Sequence, residues 1–410
     1  MSGMRVALAC HNFPPEFRGG TEQVVLALAL ALQRAGDDVV VYAGSDLPHD
    51  GRDAIEEDGE GVRVVRVRRK PDEGYGLVVR NLRVRDLVGH LLVEHRREVL
   101  HVHHWSTLSG QLARKARALG IPAIATLHDL WTTCGRFFRR PPPGIVCPDG
   151  ADRTACAPCA ARSLDVPLPS LARGLRHRDR EIRRELAALH AITAPSRFCA
   201  EAVRTHAPWP GAIEVVPHGL LGEVPTGERA APWDGRGPLR VGTFGNLVRE
   251  KGVAVLVEAM AGIAGAELHL AGPFLDPAFE REVRARAAEL GVTLHHHGPW
   301  RPDDPHPAAR LHLAVFPSLC QETYGLVVEE ALARGVPVVV SDLGALGERV
   351  EGGGLVVPPT RVALASVLAR LAAAPDELRA LAARTNRPFA RIDDAAERYR
   401  ALYRAAVASV

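Results

Sequence analysis

This chain has almost no lysine. Only Lys70, Lys115 and Lys251 occur among 51 basic residues, so arginine carries nearly all of the positive charge. That scarcity makes each lysine a position to account for. Long hydrophobic runs are missing too. The longest, VVLALALAL at 24–32, falls far short of the roughly 20 apolar residues that a membrane-spanning helix needs. The N-terminus passes from Arg5 straight into a strand-like run, so no signal peptide is expected and the expected location is cytoplasmic. A net charge of +3 is too small to point to a nucleic acid partner. No G-x-G-x-x-G follows the first strand-like run, which leaves a nicotinamide dinucleotide site poorly supported. In such a protein the seven cysteines are expected to be reduced thiols or metal ligands, not structural disulfides.

At 410 residues, with 47% hydrophobic and 24% charged residues, the chain has an ordinary globular composition and is too long for one comfortable core. Strand-like runs fall at 5–9, 39–42, 62–67, 100–103, 123–127, 191–193 and 213–216, with helical patterns between them at 21–35, 77–97, 107–119, 171–189 and 197–205. The second half repeats the alternation, with strands at 239–244, 267–271, 293–295, 313–316, 338–340 and 355–357. Such alternation predicts α/β domains, each a parallel sheet with helices on both faces. The expected division is a first domain at 1–221, a Gly/Pro-rich linker at 222–238, a second domain at 239–385, and a tail at 386–410 with an amphipathic helix over 393–408. Residues 132–165, rich in Pro, Gly and Cys, show neither helical nor strand periodicity.

The chemistry concentrates in PSLCQETYGLVVEEALARGVPVVVS. Glu322 is predicted in the loop beyond the carboxyl end of the strand at 313–316, and Glu330 about a turn into the helix that opens near Gly325. Ligands of open α/β sheets bind at that edge. A nucleotide-sugar carries one diol system on its sugar and another on its ribose. Two carboxylates can each accept hydroxyl hydrogen bonds, with the diphosphate on the helix N-terminus between them. Small residues around Glu330 (Gly325, Ala331, Ala333, Gly335) favour a packed helix bearing a polar group over a solvated face. In the first βα loop, Gly19 and Gly20 precede a helix; they read either as a plain tight turn or as a close backbone approach to an anion. GTFGNLVREKG follows the first strand of the second half and brings Lys251 to a helix start.

The 322–340 stretch resembles the signature of retaining glycosyltransferases of family 4, E-x-F-G-x-x-x-x-E-A-x-A-x-G-x-P-V-V, with Tyr324 at the aromatic place. The likeness runs over essentially the whole chain. It implies the GT-B fold: two Rossmann-like domains with a deep cleft between them, and a C-terminal helix crossing back to the first. It also implies transfer of a hexosyl-type group from a UDP-, GDP- or ADP-linked sugar to an acceptor (a small molecule, a natural product or a lipid-linked glycan). Donor binding would fall to Gly19, Gly20, Asn246, Arg249, Lys251, Gly272, Glu322, Thr323, Tyr324, Gly325, Leu326 and Glu330. His128, at a strand end in AIATLHDLW, would contact the sugar and act with Glu322 and Lys251 in catalysis. The family usually has Arg where this chain has Asn246, and Arg249 is the candidate to replace that cation. The family route is front-face transfer with the donor's phosphate oxygen taking the acceptor proton, and needs no cofactor. The alternatives are a sugar-nucleotide epimerase and an inactive GT-B binding protein.

Three further groups stand out. His104, Trp105 and Ser106 end a strand; they read as an acceptor pocket with an aromatic platform or as a packed loop. Cys134, Cys147, Cys156 and Cys159 are spaced as C-x12-C-x8-C-x2-C. Four thiolates fit a tetrahedral structural zinc, with free thiols as the second reading and disulfides as the third. The basic stretch at 173–184 reads as a solvated helix face, or, as in some relatives of the resembled family, as a peripheral contact with the inner face of an anionic membrane.

Overall fold

A computed structural model describes residues 3–410 apart from 71–72, 74–78, 138, 140–146, 148–152, 162–167, 207–208, 210 and 302–303. The chain divides into two compact units, Met1–Leu221 with Ala390–Val410, and Gly222–Phe389. Residues 222–238, expected as a linker, lie in the second unit: Trp233 is buried in its core, and Glu228 pairs with Arg334 at 3.0 Å. Residues 386–389 of the expected tail lie there too, and Phe389 packs on its second apolar cluster.

In the first unit, strands β1 (Arg5–Cys10), β2 (Asp38–Ser45), β3 (Ala54–Asp58), β4 (Arg63–Arg68), β5 (Val99–Val102), β6 (Ala123–Thr126), β7 (Ala191–Ala194) and β8 (Ile213–Val215) form one sheet. Its order is β3-β4-β2-β1-β5-β6-β7-β8. All neighbours are parallel except β3, which runs antiparallel to β4. β3 was not expected: AIEED offers little apolar signal and is held by charge, Glu56 and Glu57 accepting from Arg63 and Arg66 at 2.7 Å. The helices are α1 (Gly20–Arg34), α2 (Leu82–Glu94), α3 (Leu112–Ala118), α4 (Arg153–Ala161), α5 (Leu168–Leu186) and α6 (Arg197–His206). The helix expected from 77 starts at 82, where the Asn81 side chain caps the Val84 amide; positions 77–78 lie outside the described residues. α4 corrects the expectation that 132–165 has no regular element; it carries Cys156, Cys159 and an internal Pro158. Central strands such as VVVY in β2 are buried along their length, as parallel strands covered on both faces must be.

The second unit holds β9 (Leu239–Phe244), β10 (Ala266–Ala271), β11 (Leu294–His296), β12 (Leu313–Phe316), β13 (Val338–Ser341) and β14 (Gly354–Val357). Their order is β11-β10-β9-β12-β13-β14, all parallel. Its helices are α7 (Val253–Met260), α8 (Pro277–Glu289), α9 (Leu326–Ala333), α10 (Leu346–Val350), α11 (Arg361–Ala373) and α12 (Pro375–Ala383).

The last helix, α13 (Ile392–Ala408), belongs to the first unit. Tyr399 and Tyr403, one turn apart on its buried face, reach polar atoms of the sheet. Thr126 donates to the Tyr399 hydroxyl at 3.0 Å, and the Tyr403 hydroxyl lies 2.7 Å from His101 Nδ1. Arg400 pairs with buried Asp37 at 2.8 Å.

Candidate active site

The order of the second sheet turns back at β9, whose neighbours β10 and β12 lead the chain to opposite edges. Loops leaving the carboxyl ends of strands at such a reversal form the natural ligand site of an open α/β sheet. The loop after β9 carries Asn246 and ends in a 3-10 turn, Arg249–Lys251. The loop after β12 carries Ser318 and Glu322. The two are joined: Leu319 N donates to Glu250 O at 2.7 Å. Gly252, at φ 73°, lies so close to the Pro317 carbonyl that any Cβ would collide with it.

This close approach sets Lys251 Nζ against Glu322 Oε1 in an ion pair. Ser318 Oγ donates to the same oxygen at 2.7 Å. Burial alone would pull the Lys251 ammonium down, but the Glu322 carboxylate outweighs it and raises the group above its ordinary value. Burial likewise pushes the Glu322 carboxyl up, and the Lys251 charge with donors from Lys251 and Ser318 brings it below its ordinary value. Both groups are therefore charged at neutral pH. The Glu322 backbone is fixed as well: its carbonyl accepts from Ala345 N at 2.7 Å, beside Gly344, whose φ of 75° leaves no room for a side chain.

Gly325, at φ 92°, opens α9. Thr323 is buried and Leu326 half-buried beside that helix start. Glu330 is partly exposed and faces His306 Nε2 at 3.7 Å. Its neighbour Glu329 points inward, accepting from the Tyr324 hydroxyl at 2.8 Å, with Arg349 at 3.5 Å and burial raising its carboxyl. Tyr324 is thus engaged inside the unit through its side chain. Gly272, at φ 126°, stands against the Gly245 carbonyl where only glycine fits. Asn246 is exposed in its loop. The Arg249 guanidinium pairs with Glu282 at 2.7 Å and lies 4.5 Å over the Phe279 ring, so α8 holds it in this structure.

In the first unit, β1 and β5 are neighbours at the corresponding reversal, and histidines crowd their ends. His128 Nε2 lies 2.8 Å from His103 Nδ1, and its ring stacks on His218 at 4.9 Å. Burial, then the neighbouring imidazoles, hold His103 and His128 well below their ordinary values, and burial takes His101 to about 3. These rings are neutral at pH 7. Gly19 caps α1 and Gly20 begins it. Glu22, buried in that first turn and 3.2 Å from His11, already places a carboxylate at the positive helix end. The acceptor reading of Trp105 is corrected: it is 3% exposed and donates to Glu185 at 3.0 Å. His104 is buried against Asp129 at 3.2 Å, and Ser106 donates its amide to His104 Nδ1. The 104–106 loop is packed around a buried carboxylate.

The four cysteines of 134–159 are free and half-buried. Burial raises the Cys147 thiol, followed by an opposing Arg139 and then by the nearby Cys134, Cys156 and Cys159. Arg136 donates to Cys134 at 3.4 Å and to Cys159 at 3.5 Å, and Arg153 donates to Cys156 at 3.6 Å. Among the described residues the sulfurs are neighbours but do not close within 4.8 Å of one another as a ligand set. No helix among the described residues is long and apolar enough to cross a membrane.

Comparison with known proteins gives the family. The model of Glycosyltransferase Family 4 matches residues 18–220, and that of Glycosyl transferases group 1 matches 238–374. The chain belongs to glycosyltransferase family 4. It is 27% identical over 382 residues to the glycogen synthase of Mycobacterium tuberculosis, covering 85% of this chain and 81% of that protein. To the D-inositol 3-phosphate glycosyltransferase of Corynebacterium glutamicum it is 28% identical over 390 residues, covering 86% and 84%. The sucrose-phosphate synthase structure from Thermosynechococcus elongatus superposes with a TM-score of 0.72 at 22% identity, covering 99% of this chain and 100% of that one. The starch synthase IV catalytic domain of Arabidopsis thaliana gives 0.65 at 17% identity, covering 99% and 100%. The family 4 fold here is GT-B, and the protein is a glycosyltransferase; an epimerase is not favoured by these relatives.

Proposed function

We propose that this family 4 enzyme transfers a hexosyl-type group from a nucleoside-diphosphate sugar to an acceptor with retention of anomeric configuration. The observation that carries the reading is the Lys251–Glu322 ion pair at the β9/β12 reversal, one helix start away from Glu330. Three donors (Lys251 Nζ, Ser318 Oγ and the Cys320 thiol) converge on Glu322 Oε1. We assign Oε2 to a hydroxyl of the donor sugar. Lys251 would leave part of its interaction with Glu322 to meet the diphosphate, together with the amides at the start of α9 and the Asn246 amide. Glu330 would accept from the ribose hydroxyls. As the glycosidic bond to the leaving diphosphate breaks, charge grows on its oxygens, and a fixed ammonium and fixed amides stabilise it. A donor phosphate oxygen would take the proton of the acceptor hydroxyl as the acceptor oxygen bonds to the anomeric carbon on the face from which the diphosphate leaves. His128, neutral and buried, is suited to hydrogen bonding and not to proton donation.

The base could be uracil, guanine or adenine; the relatives named above support the nucleotide-sugar class and not one base. No cofactor is needed for the transfer as drawn. α5 exposes Arg173, Arg176, Arg180, Arg183 and Arg184 while burying Leu171, Leu175, Ile182 and Leu186. That basic stripe supports peripheral contact with anionic lipid as part of the same proposal.

The test is a panel of UDP-, GDP- and ADP-hexoses against small-polyol, natural-product and lipid-linked acceptors, read by mass spectrometry, with the product anomer assigned by NMR. A product with the donor's anomeric configuration is expected. An inverted linkage, or isomerised donor without acceptor, would overturn the proposal.

A further inference from the structure

The edge of the second sheet carries a second cluster of ligand-type side chains. β11 is the edge strand and pairs in parallel with β10, with His295 opposite His269. Alternation along the strands puts Glu267 and His269 of β10 on one face with His295 and, just past the strand end, His297. Glu267 Oε2 lies 3.5 Å from His269 Nε2 and 3.6 Å from His295 Nε2. The two imidazoles stack at 4.8 Å, and all three ligand atoms lie within 4.8 Å of one another.

Behind this triad, His269 Nδ1 is 3.0 Å from His297 Nε2. With the proton assigned to Nδ1 and donated to His297, His269 Nε2 presents a lone pair to the cluster. That atom is buried and has no hydrogen-bond partner among the described residues. In that tautomer the His269 Nε2 lone pair and the Glu267 carboxylate oxygen face one point beside His295 Nε2, an arrangement that a cation relieves. Zinc binds imidazole nitrogen and carboxylate oxygen at about 2.0–2.2 Å, so tetrahedral ligand atoms stand about 3.4 Å apart. The separations of 3.5 and 3.6 Å from Glu267 Oε2 are already close to that edge length. The Nδ1 contact to His297 is the outer-shell partner that metal-bound histidines ordinarily have.

We propose that Glu267, His269 and His295 form a binding site for a borderline divalent cation of the zinc type, which clips edge strand β11 to β10. Neither β10 nor β11 carries the Lys251 or Glu322 loop, and the inference does not depend on the donor reading. The half-exposed His295 leaves the fourth position to water. The ion's role is structural: it stabilises a three-residue edge strand that backbone pairing to one neighbour holds weakly, by binding the folded unit only.

The experiment uses the full chain, purified without metal affinity and stripped of metal with chelator. Zinc is titrated against a chromophoric competitor, and cobalt(II) is followed by visible absorption. Wild type is expected to bind cobalt at a site showing d–d bands without sulfur-to-metal charge transfer, and to rise in Tm with zinc. His295→Ala, an exposed position whose loss spares the fold, should weaken that site about tenfold or more and abolish the zinc-dependent rise in Tm. His269→Ala and Glu267→Gln should do the same, with metal-free circular dichroism confirming that each is folded. Unchanged zinc affinity in His295→Ala would overturn the proposal. So would cobalt spectra showing only thiolate ligation that cysteine alkylation removes, or binding no tighter than millimolar.

Discussion

Lys251 and Glu322 form an ion pair across 71 residues of sequence. The pair has a definite pH signature. Lys251 is raised, so its contribution to stability is complete below its unfolded value near 10.5 and is lost as pH rises through the folded value. Glu322 is lowered, so its contribution is complete above its unfolded value near 4.5 and is lost as pH falls through the folded one. The Tm difference between wild type and Lys251→Met should therefore be largest near neutral pH and shrink toward either limit. A difference that does not change with pH would mean that the pair is not charged. Turnover of Lys251→Met should fall as well, because the leaving diphosphate loses its ammonium.

Glu329 and Glu330 are adjacent acids with separable effects. Glu330→Ala should raise donor KM by about 10- to 100-fold, the cost of losing hydrogen bonds to a charged group (about 1.5–3 kcal/mol), with little change in Tm. Glu329→Ala should do the reverse: it removes the acceptor of the Tyr324 hydroxyl and one of the two acids beside Arg349 and lowers Tm while leaving donor KM near wild type. Steady-state kinetics beside thermal denaturation checks both.

Gly252→Ala should damage activity through geometry. Its φ of 73° and the Pro317 carbonyl leave no place for a methyl group, so the Lys251 turn must move away from the loop bearing Glu322. The expected result is a loss of about 2 kcal/mol or more in denaturant unfolding, with turnover reduced in the surviving folded fraction. Wild-type values for both would show that the loop absorbs the change.

Trp105 should behave as a core residue and not as an acceptor platform. Glu185 accepts from Trp105 Nε1 and from the amides of Ala113 and Arg114 at 3.0, 2.6 and 3.2 Å, so it caps the start of α3. Glu185→Ala should cost about 3 kcal/mol or more. Trp105→Phe should lower Tm and leave acceptor preference unchanged; a changed acceptor profile at unchanged Tm would restore the platform reading.

Local features of the site were legible in the sequence. Glu322 beyond a strand and Glu330 inside a helix follow from LAVF, Gly325 and VPVVV, signals only a few residues away. Partners fixed by the sheet order were not. Nothing near Lys251 announces Glu322, because β9 and β12 become neighbours only when β10 and β11 are laid down on the other side. The same holds for Trp105, whose partner Glu185 is 80 residues away. Arg249 looked available because the three residues from Asn246 are short, yet Glu282 and Phe279 of α8 compete for it. β3 was invisible because its strand signal is carried by acids that find arginines on β4. Ser318, which donates to Glu322, and His306, which faces Glu330, carried no distinguishing pattern of their own.

The first unit is discontinuous: its sheet is complete by Val215, but Tyr399 and Tyr403, which answer Thr126 and His101, arrive at the end of the chain. During synthesis at about 5–20 residues per second, those buried polar groups wait on the order of ten seconds or more while Gly222–Phe389 emerges. The later-made unit, contiguous in sequence, can finish folding before the earlier one. Chains released just short of Ile392 should therefore hold a native second unit attached to an unfinished first, a species that ribosome-nascent-chain proteolysis can capture.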